Sequence, residues 1–191
     1  MKEIYQGNFY SFFKPYVQSW GGDNRILEGF RTEEAPEIFS KNLKEEYDRL
    51  FYDLRSEKIS LVESFYKPWT RDPRCSLPFA AEKGLMMGDS ALHLSTVYQE
   101  CGLEIAEVFQ GTPDHLVLEL EFLSYLYRWG SDKEIKIFIA DHLDWIPLLK
   151  GDLEKVHPHP FYGSLLEVLD LFLRKERERL EKKNNGEESI H

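Results

Sequence analysis

Apolar residues recur along most of the chain at the three- and four-residue spacing of amphipathic helices. Residues 2–20 show the pattern clearly, and Pro15 is expected to kink or shorten that helix. No stretch rich in Val, Ile and Thr alternates in the manner of a half-buried strand. The pattern therefore predicts an all-α, single-domain bundle of about seven or eight helices.

Start and stop signals place the remaining helices. They predict helical stretches over residues 32–52 with a break, 90–100, 113–129, 132–146, 150–156 and 161–183. Asp89 is expected to cap the helix that begins at Ser90. Thr112 is expected to cap the helix that Pro113 begins, which puts Asp114 at its second position.

Residues 67–88 differ from their surroundings because they contain three prolines and two glycines with little periodicity. Prolines forbid a continuous helix there. We expect a long loop that is either more mobile than the helices or ordered by packing of Trp69 and Phe79. The predicted organisation is one helical domain over residues 1–183 and a frayed tail over residues 184–191.

The amino-acid composition argues against several classes of partner and location for this protein. The 191 residues carry 34 acids and 24 bases, a net charge of −10, which argues against nucleic acid and anionic membrane as partners. No run approaches the roughly 18 apolar residues of a membrane helix, and the N-terminus has no signal-peptide core. The two cysteines, Cys75 and Cys101, form no metal or disulfide pattern, so a reducing, cytoplasmic setting is expected.

The first candidate site is the trio of Asp114, His115 and Glu119. His115 and Glu119 lie four residues apart on one helical face, whose remaining positions are apolar. A glutamate among apolar neighbours is costly to bury unless it is paired. The trio can be a structural pair, a ligand-contacting cluster at the edge of a groove, or an acid–base dyad.

Other sites are less specific. His142 lies on an apolar helix face one turn before Trp145, a position typical of a core histidine. The histidines show no helical metal-binding spacing, and no phosphate-binding glycine loop or Ser/His/Asp set occurs. We therefore expect no cofactor and no metal. Between Asp89 and Gly130, however, seven acids face one base, which suits either a solvated surface or a peptide that carries arginines beside an apolar stretch.

Six short motifs, in order, resemble those of the TorD/DmsD family of redox-enzyme maturation chaperones, with NarJ-type assembly proteins as wider kin. They are Tyr47-Asp48-Arg49-Leu50-Phe51, Glu63-Ser64-Phe65-Tyr66, Leu85-Met86-Met87-Gly88-Asp89-Ser90, Pro113-Asp114-His115-Leu116 with Glu119-Leu120-Glu121-Phe122, His142-Leu143-Asp144-Trp145-Ile146-Pro147, and His159-Pro160-Phe161-Tyr162. The chain departs from that family at Ser60-Leu61-Val62, where many members have prolines, and at residues 67–82, which look like an insertion.

The resemblance implies a non-enzymatic helical protein of the cytoplasm, either monomer or homodimer, the latter open to domain swapping. It implies binding of the twin-arginine leader, or another part, of the catalytic subunit of a molybdopterin-containing reductase before export. The residues expected to contact such a peptide are Asp114, His115, Glu119, Glu63, Ser64, Tyr66, Trp69, Asp89, His142 and Trp145. The alternatives are a generic helical interaction module and an enzyme that uses Asp114, His115 and Glu119.

Overall fold

The computed structural model of the chain describes residues 9–52 and 59–187. Helix accounts for 66% of the structure, so the predicted all-α class is confirmed. The described ranges contain seven α-helices: α1 (Phe9–Ser19), α2 (Pro36–Tyr47), α3 (Asp89–Glu100), α4 (Leu116–Trp129), α5 (Asp132–His142), α6 (Ile146–Lys155) and α7 (Pro160–Glu187). None of the helices in these ranges combines the length and hydropathy that a membrane crossing needs.

The chain divides into two units. The first takes its residues from Met1–Ile59 and Ile146–His191, and the second from Ser60–Trp145. Within the first unit, α1, α2, α7 and a 3₁₀ helix (Asn24–Phe30) share an aromatic-rich core. The Phe30 ring lies 5.3 Å from that of Phe161 and 5.4 Å from that of Phe13, distances at which aromatic pairs attract beyond their burial alone.

Gly29 lets the 3₁₀ helix approach the start of α7. A β-carbon at this position would lie 2.0 Å from the carbonyl oxygen of Pro160 and 2.5 Å from Ser164 Oγ. The Gly29 amide donates a 3.0 Å hydrogen bond to that same hydroxyl. The close approach therefore depends on the missing side chain and is locked by a polar contact.

The second unit contains α3, α4, α5 and the segment 60–88. Ser131 and Glu134 form a reciprocal capping box at the start of α5. Residues 67–88 contain turns and no helix in the structure, and the Trp69 and Phe79 rings pack edge to face at 5.2 Å. That packing is the contact expected of an ordered loop.

Several helix boundaries differ from prediction, and α2 begins at Pro36 and α6 at Ile146 where residues 32 and 150 were predicted. α4 begins at Leu116, not Pro113, because Asp114 is held by a neighbouring segment and His115 Nδ1 accepts from the Val117 amide as the true cap. Asp89 is the first residue of α3 and not its cap, because its carboxylate accepts hydrogen bonds from Thr70 and Arg71 in the loop. Helix α5 ends at His142 and α6 begins at Ile146, so residues 132–146 do not form a single helix.

The first and last helices can be compared with their predicted bounds only over the described residues. α1 is described from Phe9, and the earlier part of the predicted helix over residues 2–20 lies outside the described residues. α7 continues to Glu187, four residues past the predicted end. The predicted frayed tail at 184–191 starts inside this helix, and residues 188–191 lie outside the described residues, so the tail stays a prediction.

Gly29→Ala is expected to destabilise the first unit strongly. The new methyl group would overlap backbone atoms of Pro160, which cannot rotate away, so we expect a loss of unfolding free energy above about 2 kcal/mol. Gly151→Ala is the control, since a β-carbon at this position in α6 meets no atom of the described residues within 4 Å. It should raise stability by about 0.5–1 kcal/mol. Chemical denaturation of both variants checks this, and equal effects would contradict the packing argument.

Candidate functional site

An extended segment before the loop is tied to the start of α4. Val62 and His115 form an antiparallel β-bridge, flanked by backbone hydrogen bonds from Leu116 to Leu61 and from Glu63 to Asp114, at 2.8 and 3.0 Å. A short 3₁₀ helix, Glu63–Phe65, follows at once. The bridge therefore sets the side chains of this 3₁₀ helix beside those at the start of α4.

Asp114 fastens this junction. Its carboxylate accepts from the Ser64 amide at 2.7 Å and from the Ser64 hydroxyl. Asp114 is 1% exposed and Ser64 2% exposed. Charge-assisted hydrogen bonds of this kind are about twice as strong as neutral ones. Asp114 is therefore a buried anchor between two segments, whereas the sequence predicted it at the second position of a helix.

Glu63 is the centre of a buried ionic network. Its carboxylate pairs with Lys67 Nζ at 2.5 Å and with His142 Nδ1 at 2.9 Å. Lys67 also reaches the Asp144 carboxylate at 2.5 Å and the Asp141 carbonyl oxygen at 2.6 Å. Glu63 is fully buried, so this one carboxylate connects the 3₁₀ helix, the start of the loop and the end of α5.

The network continues to the surface through a second histidine. His93 Nδ1 lies 2.8 Å from His142 Nε2, and the two rings stack. A carboxylate can only accept, so His142 donates from Nδ1 to Glu63, and one of the two facing ring nitrogens of His142 and His93 donates to the other. Burial, and then the neighbouring His142, lower the pKa of His93. Two successive hydrogen bonds thus connect the exposed imidazole of His93, through His142, to the buried carboxylate of Glu63.

Glu63 is ionised in this setting. Burial alone would raise its pKa, but the hydrogen bond and charge of His142 and the charge of Lys67 outweigh burial, so the pKa lies below its usual value. A buried carboxylate with two cationic or donor partners is stable as an anion, whereas removal of one partner leaves an uncompensated charge.

Glu119 behaves in the opposite way. It is fully buried, and burial together with the charge of Glu63 and a hydrogen bond to it raises its pKa well above the usual value. Glu119 therefore stays a neutral acid that donates to Glu63 and accepts from Trp145 Nε1 at 3.1 Å. Two adjacent buried carboxyl groups share one charge because like charges this close do not both ionise.

Most of the predicted peptide-binding residues are interior residues in this structure. The Trp145 and Tyr66 rings stack at 5.1 Å and are 1% and 5% exposed. Burial at this level also applies to Glu63, Ser64, Asp114, Glu119 and His142. A bound peptide could touch only the edges of these side chains unless the fold opened locally. Their role in peptide contact therefore stays a prediction.

The other predicted residues lie nearer the surface. Asp89 is exposed, while His115 and Trp69 are half-buried. Asp89 and His142 also line an open cavity of about 260 Å³, together with residues of the loop and of α5. The structure thus places two of the ten predicted residues at the wall of one cleft.

The acid–base alternative gains no geometric support. Asp114 accepts from Ser64, His115 accepts from the Val117 amide, and Glu119 bonds to Trp145 and Glu63. Burial lowers the pKa of His115, consistent with a neutral ring that accepts at Nδ1. Each member of the trio therefore serves a different partner. Across the described ranges, no group of three or more His, Cys, Asp or Glu side chains is arranged to hold a metal ion.

Comparison with known proteins decides the family. The family described as "Nitrate reductase delta subunit" matches residues 27–165, which is more than half of the chain. The chain belongs to this family. All ten predicted site residues lie inside the matched range.

Curated relatives carry the name "Chaperone protein TorD". The protein of that name from Salmonella paratyphi B is 26% identical over 111 residues, which cover 54% of this chain and 51% of that protein. Those from Salmonella newport and Salmonella enteritidis PT4 match to the same extent. The chain spans about half the length of the curated relatives it matches. The predicted resemblance to TorD-type proteins with NarJ-type kin is confirmed.

In this member of the nitrate reductase delta subunit family, sequence reasoning missed three residues of the network. Lys67 follows Glu63 by four residues, a spacing that would have suggested an ion pair had residues 63–67 been predicted to form a helical turn. Asp144 and His93 carry no such signal. The His93–His142 pair joins positions 49 residues apart, and only the folded chain brings them together.

Asp114→Ala is expected to lower the unfolding free energy by about 2–4 kcal/mol, because it leaves the buried Ser64 amide and hydroxyl without their acceptor. Asp141→Ala, at an exposed carboxylate of the same unit, should change stability by less than about 0.5 kcal/mol. Denaturant titrations measure both, and a wild-type midpoint for Asp114→Ala would refute the anchor role.

Glu119→Gln is expected to stabilise the protein increasingly as pH rises. In the wild type the folded state keeps the Glu119 proton that the unfolded state loses near pH 4.5. The unfolded state therefore binds fewer protons at this site, so the contribution of Glu119 to wild-type stability falls from about pH 4.5 up through the raised folded-state pKa. Glutamine keeps both hydrogen bonds but does not titrate.

The measurement is the difference in unfolding free energy between Glu119→Gln and wild type across this pH range. The difference reports Glu119 together with its coupling to Glu63, because the other titrating groups are common to both proteins. A difference that does not change with pH would show that Glu119 is ionised in the folded protein.

Proposed function

We propose that this protein is a maturation chaperone for a redox enzyme. The observation that carries the proposal is the family match over residues 27–165, which contains the whole polar network around Glu63. The name "Chaperone protein TorD" of the relatives supports the same class of function. The client we propose is the immature catalytic subunit of a molybdopterin-containing reductase, bound through its twin-arginine leader, through another part of the chain, or both.

In this proposal the protein acts in the cytoplasm and without catalysis. It holds the client while cofactor and partner subunits are added, and releases it for export afterwards. The burial of Glu63 supports a non-catalytic role, because this carboxylate is fully buried and is held by Lys67 and His142 inside the fold. A catalytic acid or base must reach the proton that it transfers.

The leader contributes two kinds of interaction. Its apolar stretch supplies most of the affinity, at roughly 25 cal/mol per Å² of buried apolar surface before the costs of association. Its arginines supply orientation and association rate, because exposed ion pairs are worth little in water. Four of the ten predicted contact residues are acids that could pair with those arginines. Of these four, Asp114, Glu119 and Glu63 are buried, and Asp89 is exposed.

The ten predicted peptide-binding residues therefore divide into two roles. In this proposal Asp89, His115 and Trp69 contact the client directly, which their exposed or half-buried side chains support. The buried residues hold the segment and helices that present the surface. The two proposed oligomeric states, monomer and homodimer, are distinguished by sedimentation equilibrium, which measures the mass of the assembly.

The test is calorimetric titration of a synthetic twin-arginine leader, taken from a molybdopterin-containing reductase subunit of the same organism. We expect binding that weakens with rising salt, because screening reduces the attraction between the arginines and the acidic surface. A leader with both arginines changed to glutamine should bind more weakly and lose most of this salt dependence.

A generic helical interaction module, the alternative, would show no preference between the two leaders. Failure of the chain to bind both the leader and the immature catalytic subunit would refute the proposed function. The subunit is included so that a client recognised outside its leader is not overlooked.

A further inference from the structure

A second groove opens on a different face of α4 from the Glu63 network. It has a volume of about 180 Å³ and is formed by the end of α3, the turn that follows and one side of α4. The α4 residues that line it are Leu118, Glu121, Phe122 and Tyr125. Their three- and four-residue spacing makes them a single helical face. None of the ten predicted site residues lines this groove.

Gly102 shapes the wall opposite α4. It ends α3 with a φ of +69°, in the left-handed region that favours glycine. The Leu103 amide then donates back to the Tyr98 carbonyl oxygen at 2.9 Å, which reverses the chain. The reversal brings Leu103, Glu104 and Ile105 to the groove. Because the turn is fixed by hydrogen bonds, the groove is formed before any ligand arrives.

The floor of the groove is aromatic and uncharged. Phe122 lies 5.1 Å from the Tyr98 ring and stacks on Tyr125 at 5.6 Å. Burial raises the pKa of Tyr98 far above the physiological range, so its phenol stays neutral. Leu103 is 37% exposed at the edge, which leaves apolar surface that a partner can cover.

The charges at the rim have a single sign. Among the residues that the structure describes, the lining contains two acids, Glu104 and Glu121, both exposed, and no base. By contrast, the 260 Å³ cavity beside Asp89 holds Lys67 and Arg71 among its acids. An apolar groove with carboxylates alone at its rim is complementary to an apolar side chain flanked by a cation.

We propose that this groove binds an arginine-flanked apolar segment of the client polypeptide, with an apolar side chain on the Tyr98–Phe122–Tyr125 floor and an arginine at Glu104 or Glu121. The volume suits this occupant, since it lies below the roughly 300 Å³ at which small-molecule sites begin. Arginine matches the carboxylate rim better than lysine does, because its planar fork donates two parallel hydrogen bonds. The inference rests on the proposed function and names the surface that performs it.

The experiment compares two double charge reversals in the full chain. Glu104→Lys with Glu121→Lys changes the groove rim, and Glu100→Lys with Glu107→Lys makes the same change in net charge on exposed residues outside the groove. All four side chains are exposed, so both proteins should fold, and melting curves check this. Each is titrated with the leader and with its arginine-to-glutamine version.

We expect the rim reversal to weaken binding of the arginine leader by about tenfold or more and the control reversal by less than about threefold. The rim reversal should barely affect the glutamine leader, since the lost partner is absent from it. Equal weakening by both reversals would show long-range steering by net charge and would overturn the groove assignment.

A second readout does not depend on the variants. The methyl NMR signals of Leu103, Ile105 and Leu118 are followed during titration of the wild-type chain with the leader and with the immature catalytic subunit. Shifts at these methyl groups support the groove. Binding of either ligand without such shifts overturns the groove and leaves the proposed function standing, whereas absence of binding to both ligands overturns both.

Discussion

The fully buried carboxylate of Glu63 is the constraint on which the second unit depends. A buried anion is tolerated only when its charge is balanced and its oxygens are hydrogen-bonded, and here Lys67, His142 and the neutral acid of Glu119 meet that requirement. Each partner comes from a different element. The segment 60–66, the start of the loop, α4 and the end of α5 are therefore fixed relative to one another by the need to neutralise one charge.

This dependence makes the network cooperative. If Lys67 is removed, Glu63 loses a cation and Asp144 loses its partner, while a protonated Glu63 would no longer favour a neutral Glu119. Breaking one partner of a buried pair typically costs about 3–5 kcal/mol, more than the pair adds to stability when intact. The network thus contributes specificity of arrangement more than net stabilisation, and substitutions within it should not have additive effects.

The sequence predicted the helices well because their apolar periodicity is local information. It predicted their boundaries less well, since Asp114 and Asp89 are both good capping residues whose carboxylates are instead taken by Ser64 and Thr70. Those partners lie 50 and 19 residues away, so no local pattern distinguishes the two outcomes. The same reason explains why Glu63, Glu119 and His142 were identified as candidates while their mutual contacts were not.

The acids of the second unit therefore differ in what they can do for a partner. Glu63 cannot turn toward an incoming arginine without abandoning Lys67 and His142, and Glu119 carries no charge to offer. Glu104 and Glu121 are exposed beside apolar surface and meet a cation at little cost in desolvation. The buried motif residues thus form the frame of the second unit, and the groove proposed as a contact surface lies on a face of α4 that this frame holds in place. Binding at that groove would leave the charge balance around Glu63 untouched, because neither Glu104 nor Glu121 belongs to the network.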